Sequence, residues 1–167
     1  MAHTEVAARQ RGRTIALRLL EKRLRSRAEL ETALRRRGVP AEDIIAVLGG
    51  LRRIGWIDDA RFARAWIRDR LALRPSGHRR LRAELLARGV SSENAEDALA
   101  ALLPGDKEQS LALEEARGRL RRLVALPPVV ARRRLVAWLR RRGFELSTIA
   151  RILRVIDVNG GDGDVSV

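Results

Sequence analysis

The chain reads as an all-α protein, an elongated array of three tandem three-helix repeats, on three observations. Leu, Ala, Arg and Glu dominate its 167 residues, and these are strong helix formers. Val and Ile recur at helical spacing, with no alternation that would mark a strand. An Arg-Gly-apolar step also recurs, as Arg37-Gly38-Val39, Arg88-Gly89-Val90 and Arg142-Gly143-Phe144, with its glycines 51 and then 54 residues apart.

Breakers set the elements in order. Gly38-Val39-Pro40, Gly55, Pro75-Ser76-Gly77, Gly89, Pro104-Gly105, Pro127-Pro128 and Gly143 separate nine stretches of helical apolar spacing. The predicted helices run over 14–24, 27–37, 41–54, 59–72, 77–88, 92–103, 106–125, 128–142 and 147–156. They group as repeat 1 (14–57), repeat 2 (58–104) and repeat 3 (105–156). Residues 1–13 read as a flexible N-terminal tail and 157–167, rich in Gly and Asp, as a disordered C-terminal one.

Aligning the three glycines brings the apolar positions into register. Leu30 and Leu34 map to Leu81 and Leu85, then to Leu135 and Leu139. After the glycine, Ile44, Val47, Leu48 and Leu51 map to Ala95, Ala98, Leu99 and Leu102, then to Ile149, Ile152, Leu153 and Ile156. That i, i+3, i+4, i+7 pattern is one buried stripe written three times. Each glycine suits the left-handed residue that ends a helix, and the apolar residue after it can pack back on the helix it closes. Pro40 suits a first turn, and Ser91 and Ser147 suit caps. Gly49-Gly50 inside the third helix predicts a kink or early unwinding. Repeats of about 50 residues bury little alone, so neighbours must stack, and a curved array would present a long side surface.

Charge narrows the function classes. Net charge is +14, concentrated as +7 over 127–156 and +6 over 14–72, with only +2 over 73–126. Such a field favours a polyanion such as nucleic acid, or an acidic protein surface. Arginine supplies 33 of the 35 cations, so part of the excess is compositional and spread over solvated helix faces. With no Cys, a disulfide framework and a Cys-based zinc site are excluded. With only His3 and His78, any metal site would need scattered carboxylates, and Gly49-Gly50 and Gly160-Gly161 lack the Lys and strand–helix context of a phosphate loop. No cofactor is expected. Met1 to Arg13 lacks an apolar run, and no stretch approaches the roughly 20 apolar residues of a membrane span. A cytoplasmic monomer that does not meet a membrane is the expectation.

The sharpest local pattern is Gly55-Trp56-Ile57-Asp58-Asp59-Ala60-Arg61-Phe62-Ala63-Arg64-Ala65-Trp66, with Arg70 one turn beyond. It reads as a helix stop, a short turn and a capped restart. Asp58 or Asp59 can accept the orphan amides of the new helix, whose buried stripe holds Phe62, Ala63, Trp66 and Ile67. Adjacent carboxylates on a helix start diverge and have no His or Ser partner nearby, so capping outweighs acid–base catalysis. Helical spacing also puts Trp138 beside Leu135 and Leu139, in the core, whereas Trp56 in the turn is open to either packing or base stacking.

This segment resembles the signature of the RecX family, in which a Gly-aromatic-aliphatic-Asp-Asp turn precedes Arg-Phe-Ala and a bulky residue one turn later. Ser26-Arg27-Ala28-Glu29-Leu30, Arg37-Gly38 and Gly77-His78-Arg79-Arg80-Leu81 resemble further steps of that pattern, and the likeness spans about 14–156, more loosely in repeat 3. The resemblance implies tandem three-helix repeats and no active site. It further implies a regulator that lies in the groove of the RecA recombinase filament and restrains recombination and ATP hydrolysis, in contact with RecA and with single-stranded or double-stranded DNA. The residues favoured for those contacts are the arginine clusters of the middle helices: Arg35, Arg36 and Arg37; Arg79, Arg80 and Arg82; Arg132, Arg133 and Arg134; and Arg140, Arg141 and Arg142. Cations at a helix C-terminus also complement its dipole, which is a structural reason for the first and last of these. The rival reading is a recombinase-independent DNA binder of helix-turn-helix kind, which would want Asn or Gln base readers that these helices lack.

Overall fold

A computed structural model describes the backbone of residues 2–156 and the side chains of 6–156. Its described residues form nine helices and no strand: α1 (Ala2–Lys22), α2 (Arg27–Arg35), α3 (Ala41–Arg53), α4 (Asp59–Leu73), α5 (His78–Leu86), α6 (Ser92–Leu102), α7 (Gly105–Leu120), α8 (Pro128–Arg141) and α9 (Leu146–Val155). The predicted disordered tail, 157–167, lies outside the described residues.

The recurrent glycines end their helices as the sequence predicts. Gly38, Gly89 and Gly143 have φ of 72°, 74° and 83°. In each case the next N–H reaches back to the leucine five residues upstream: Val39 to Leu34, Val90 to Leu85 and Phe144 to Leu139, each at 3.2 Å. Gly55 repeats the device after α3, at φ 77°, with Trp56 N–H donating to Leu51 at 3.0 Å. Val39, Val90 and Phe144 are buried, folded back onto the helices they follow.

The chain divides into two compact units, and the division runs inside α4, α5 and α6. Unit 1 comprises Met1–Trp66 and Glu84–Ala98; unit 2 comprises Ile67–Ala83 and Leu99–Val167. In unit 1, α1 packs on α3 and α2 around Ala16, Leu30, Leu34, Ile44, Val47, Leu48 and Leu51. In unit 2, α7 packs on α9 and α8 around Ala112, Ala116, Leu135, Leu139, Phe144, Ile149 and Ile152. The stripe leucines Leu81 and Leu85 of α5 are fully buried, matching Leu30, Leu34, Leu135 and Leu139.

Several expectations change. Residues 2–13 do not form a flexible tail, because α1 extends through them; Met1 lies outside the described residues. Gly12 lies under Val39 and Val47, where an added Cβ would stand 3.1 Å from Val39, and Arg9 pairs with the buried Asp43 at 3.1 Å. A glycine and an arginine make those contacts, so no apolar stripe advertises them. Gly49 and Gly50 sit in an uninterrupted α3, and nothing in the structure explains why glycine stands there. α7 stops at Leu120 rather than 125, giving way to tight turns in which Leu123 N–H donates to Leu120 before Pro127-Pro128. Ser91 caps α6 through the Asn94 N–H (3.2 Å), whereas Ser147 lies inside α9, whose cap is Glu145. In repeat 2 the buried stripe ends on Leu103, with Leu102 only half-buried.

Two of the turns also serve as seats. In unit 1 the start of α2 rests on the turn that ends α5: Ser26 Oγ donates to the Arg88 carbonyl at 2.6 Å while accepting from the Glu29 N–H. In unit 2 the start of α5 rests likewise on the turn that ends α8, with Gly77 N–H on the Arg142 carbonyl (2.9 Å) and Arg79 N–H on the Gly143 carbonyl (3.1 Å). A Cβ on Gly143 would fall 2.5 Å from the Arg80 backbone nitrogen, while one on Gly38 would meet nothing within 4 Å. Gly38→Ala is therefore expected to lower stability by about 1–2 kcal/mol, the left-handed backbone term alone. Gly143→Ala should cost clearly more, because the seat must open as well. Urea denaturation of the two variants checks the order, and equal losses would show that the seat is not tight.

Candidate functional site

The signature segment is a structural brace. Asp58 Oδ1 accepts from the Arg61 N–H at 2.9 Å and caps α4. Asp59 does something the sequence does not suggest, since its Oδ1 accepts from the Arg27 N–H at 2.8 Å and so caps α2 of the preceding repeat. Phe62 and Ala63 are buried, and Gly55 closes α3. Trp66 is half-buried rather than a core residue. Its ring stacks on Phe62 with centroids 6.1 Å apart, its Nε1 donates to Glu84 at 3.2 Å, and the Arg88 guanidinium lies 3.6 Å over its face. Arg70 is half-buried on the same helix.

Unit 2 repeats that guanidinium-on-indole arrangement. Arg142 lies 5.3 Å over the ring of Trp138, with Arg119 at 5.9 Å, and Arg142 pairs with Glu115 at 3.1 Å. Burial holds the Arg142 guanidinium below its ordinary pKa, as do its neighbours Arg74 and Arg80, while Glu115 opposes them. Arg142 is therefore a packed residue and not part of an open basic surface. Trp138 is half-buried, also not fully in the core.

The remaining clusters separate by unit. The seating of α5 on the end of α8 brings Arg79 and Arg80 beside Arg140 and Arg141, and these four line an open cleft of about 550 Å³ with Ala137 and Gly143. Arg79, Arg140 and Arg141 are exposed there and Arg80 is half-buried. Arg133 precedes Ala137 by one helical turn and so continues the same face of α8, flanked by the exposed Arg132 and Arg134. Arg82 is half-buried on α5. In unit 1, Arg35 pairs with Glu31 at 2.7 Å, Arg37 donates to the Ala33 carbonyl at 2.9 Å, and Arg36 is exposed. Exposed cations around a small-residue floor attract an anion, and their spread over two helices fits several phosphates better than one.

Two functional-looking carboxylates escaped the sequence reading, and both are structural. Glu108 is buried, accepting from the His78 N–H (2.9 Å) and from Thr148 Oγ1 (3.0 Å), so it caps α5 and ties it to α7 and α9. Asp43 is buried against Arg9. Neither apolar periodicity nor charge count marks them. Among the described residues no three His, Asp or Glu side chains group as metal ligands, and no helix is long and apolar enough to cross a membrane.

Comparison with known proteins fits this arrangement. Models of the first, second and third three-helix domains of RecX match residues 13–51, 58–99 and 106–153. Over 144 residues the chain is 42% identical to the regulatory protein RecX of Thermobifida fusca, covering 86% of this chain and 77% of that protein. It is 38% identical over 140 residues to the regulatory protein RecX of Treponema pallidum, covering 84% and 73%. A crystal structure of RecX from Lactobacillus salivarius shares the fold, with a TM-score of 0.84 at 22% identity over 92% of this chain and 99% of that one. Three consecutive domain matches and identity of this order across most of its length show that the chain belongs to the RecX family.

Proposed function

We propose that this protein is a non-enzymatic regulator that binds the RecA nucleoprotein filament and restrains its recombinase and ATPase activity. The observation that carries the reading is the cleft of unit 2, where Arg79, Arg80, Arg140 and Arg141 meet with three of the four exposed. Five donors on each planar guanidinium suit phosphate oxygens, and releasing the counterions held by a nucleic-acid backbone drives the contact. Family membership supplies the regulatory role, through relatives named regulatory protein RecX. The helix-turn-helix alternative fits less well. A recognition helix reads bases with its N-terminal residues, whereas the starts of α2 and α5 are each seated on the end of another helix.

DNA-dependent ATP hydrolysis by RecA is expected to fall when this protein is added at amounts substoichiometric to RecA. Unchanged hydrolysis and strand exchange at excess would remove the proposal. Replacing Arg79, Arg140 and Arg141 with Ala is expected to weaken binding to filaments and to oligo-dT about tenfold or more. The same change should flatten the slope of log affinity against log salt by about 2, since each phosphate left without its cation removes about 0.7 from that slope. An unchanged salt slope would place the phosphates elsewhere. Replacing Arg35, Arg36 and Arg37 with Ala is expected to weaken filament binding with helicity unchanged by circular dichroism, because only exposed pairings are removed. A loss of helicity instead would make that cluster structural.

A further inference from the structure

Unit 1 carries a second surface of different chemistry. The last turn of α1 and the closing turn of α3 meet around a concavity of about 370 Å³ lined by Leu20, Leu24, Ile54, Gly55, Trp56 and Arg61. Its apolar members are unusually open to solvent: Trp56 is 47% exposed, Ile54 58% and Leu24 37%. Trp66 and Trp138 each lie under a guanidinium, whereas among the described residues no such contact covers Trp56. The same turn that exposes this indole is built by Gly55, so its position is fixed by the helix end and not by a loose loop.

We infer that this concavity is a docking site for a short acidic segment of a protein partner, one bulky apolar side chain of which lies against Trp56, Ile54 and Leu24 while a neighbouring carboxylate meets Arg61. The inference rests on the filament reading and assigns this patch to the filament's protein component, leaving the cleft of unit 2 for phosphates. The composition of the lining selects the occupant. A nucleobase would use one aromatic face, but the other apolar walls are aliphatic, and strand binders interleave several aromatics with cations. A second copy of the chain would need about 800 Å² on each partner, far beyond what six residues offer. A short segment needs only a pocket for its anchor and a charge at the rim. That charge is present: Arg61 is exposed and has no ion pair among the described residues, and exposed Arg52 and Arg53 immediately precede Ile54. The nearby Asp58 and Asp59 each accept a backbone amide and neither pairs with the Arg61 guanidinium, and against Arg52, Arg53 and Arg61 they leave the rim with cations in excess.

The test uses the full chain and two variants, Trp56→Ala and Arg61→Glu, whose sites are exposed and whose melting curves should match the parent. Binding is measured to RecA filaments assembled on oligo-dT and, separately, to oligo-dT alone. Each variant is expected to bind filaments at least tenfold more weakly while binding bare oligo-dT as the parent does. Loss of oligo-dT binding in Trp56→Ala would identify a nucleobase as the occupant and overturn the inference. A shift from dimer to monomer in Trp56→Ala by sedimentation would assign the patch to self-association and overturn it equally. Parent-like filament binding by both variants would overturn it while sparing the filament reading, whereas a parent chain that ignores filaments would remove that reading and this inference together.

Discussion

The structure depends on a joint in which the start of one helix sits on the glycine turn that ends another. A helix start leaves N–H groups without partners and a helix end leaves carbonyls, and each costs about 1–3 kcal/mol when buried unsatisfied. The joint satisfies one set with the other. In unit 2, Gly77 and Arg79 amides take the Arg142 and Gly143 carbonyls; the intervening His78 amide goes to Glu108. In unit 1, Ser26 serves the Arg88 carbonyl and Asp59 takes the Arg27 amide. Positive and negative dipole ends face each other in both, so the electrostatics reinforce the hydrogen bonds. The approach demands glycine: a Cβ on Gly89 would fall 2.3 Å from the Cβ of Ala28, and one on Gly77 would fall 2.4 Å from the Phe144 backbone.

This joint also arranges the cations. Arg79 and Arg80 stand in the first turn of α5 and Arg140 and Arg141 in the last turn of α8, so seating one helix on the other makes neighbours of clusters 61 residues apart in sequence. A helix start is normally an anion site through its amides, but here the amides are consumed within the fold. Guanidinium groups are what the surface still presents to an anion. Binding by side chains in place of backbone amides exchanges geometric precision for reach, which suits an irregular, repeating polyanion better than a single small phosphate.

How much of this was legible in the sequence depends on which physical signal each feature leaves. The three Arg-Gly-apolar steps gave the repeat register, and the stripe from Ile44 to Leu51 gave its core, because a left-handed glycine and a 3.6-residue period both write themselves into local sequence. The contacts of α1 were not legible: Gly12 and Arg9 pack through close approach and a buried ion pair, neither of which produces periodicity. Of the two carboxylates expected to cap α4, Asp58 does so, while the capping of α2 by Asp59 was not legible because its partner Arg27 lies 32 residues away. Trp66 was placed in the core by spacing alone, and the guanidinium that covers its outer face comes from Arg88, 22 residues later. Convergence of Arg79 with Arg140 could not be foreseen from composition, which treats all of the arginines alike.

The net charge of +14 mixes packed arginines with open ones. The arginine immediately before the glycine has become a structural residue in two repeats: Arg88 and Arg142 each cover an indole and face a glutamate, Glu29 at 3.8 Å and Glu115 at 3.1 Å. A guanidinium can do this because it is planar and more weakly hydrated than an ammonium, so stacking on an apolar ring costs it less desolvation. Arg37 holds the corresponding place in the first repeat without a tryptophan and stays exposed, donating its hydrogen bond to the Ala33 carbonyl. The same residue type in the same motif is thus packed or available according to whether an aromatic ring lies within reach. Net charge counts both kinds, and so overstates the surface that an anion meets. Arg140 and Arg141, two and one positions before Arg142, are exposed and line the cleft, so there the charge remains open to a partner.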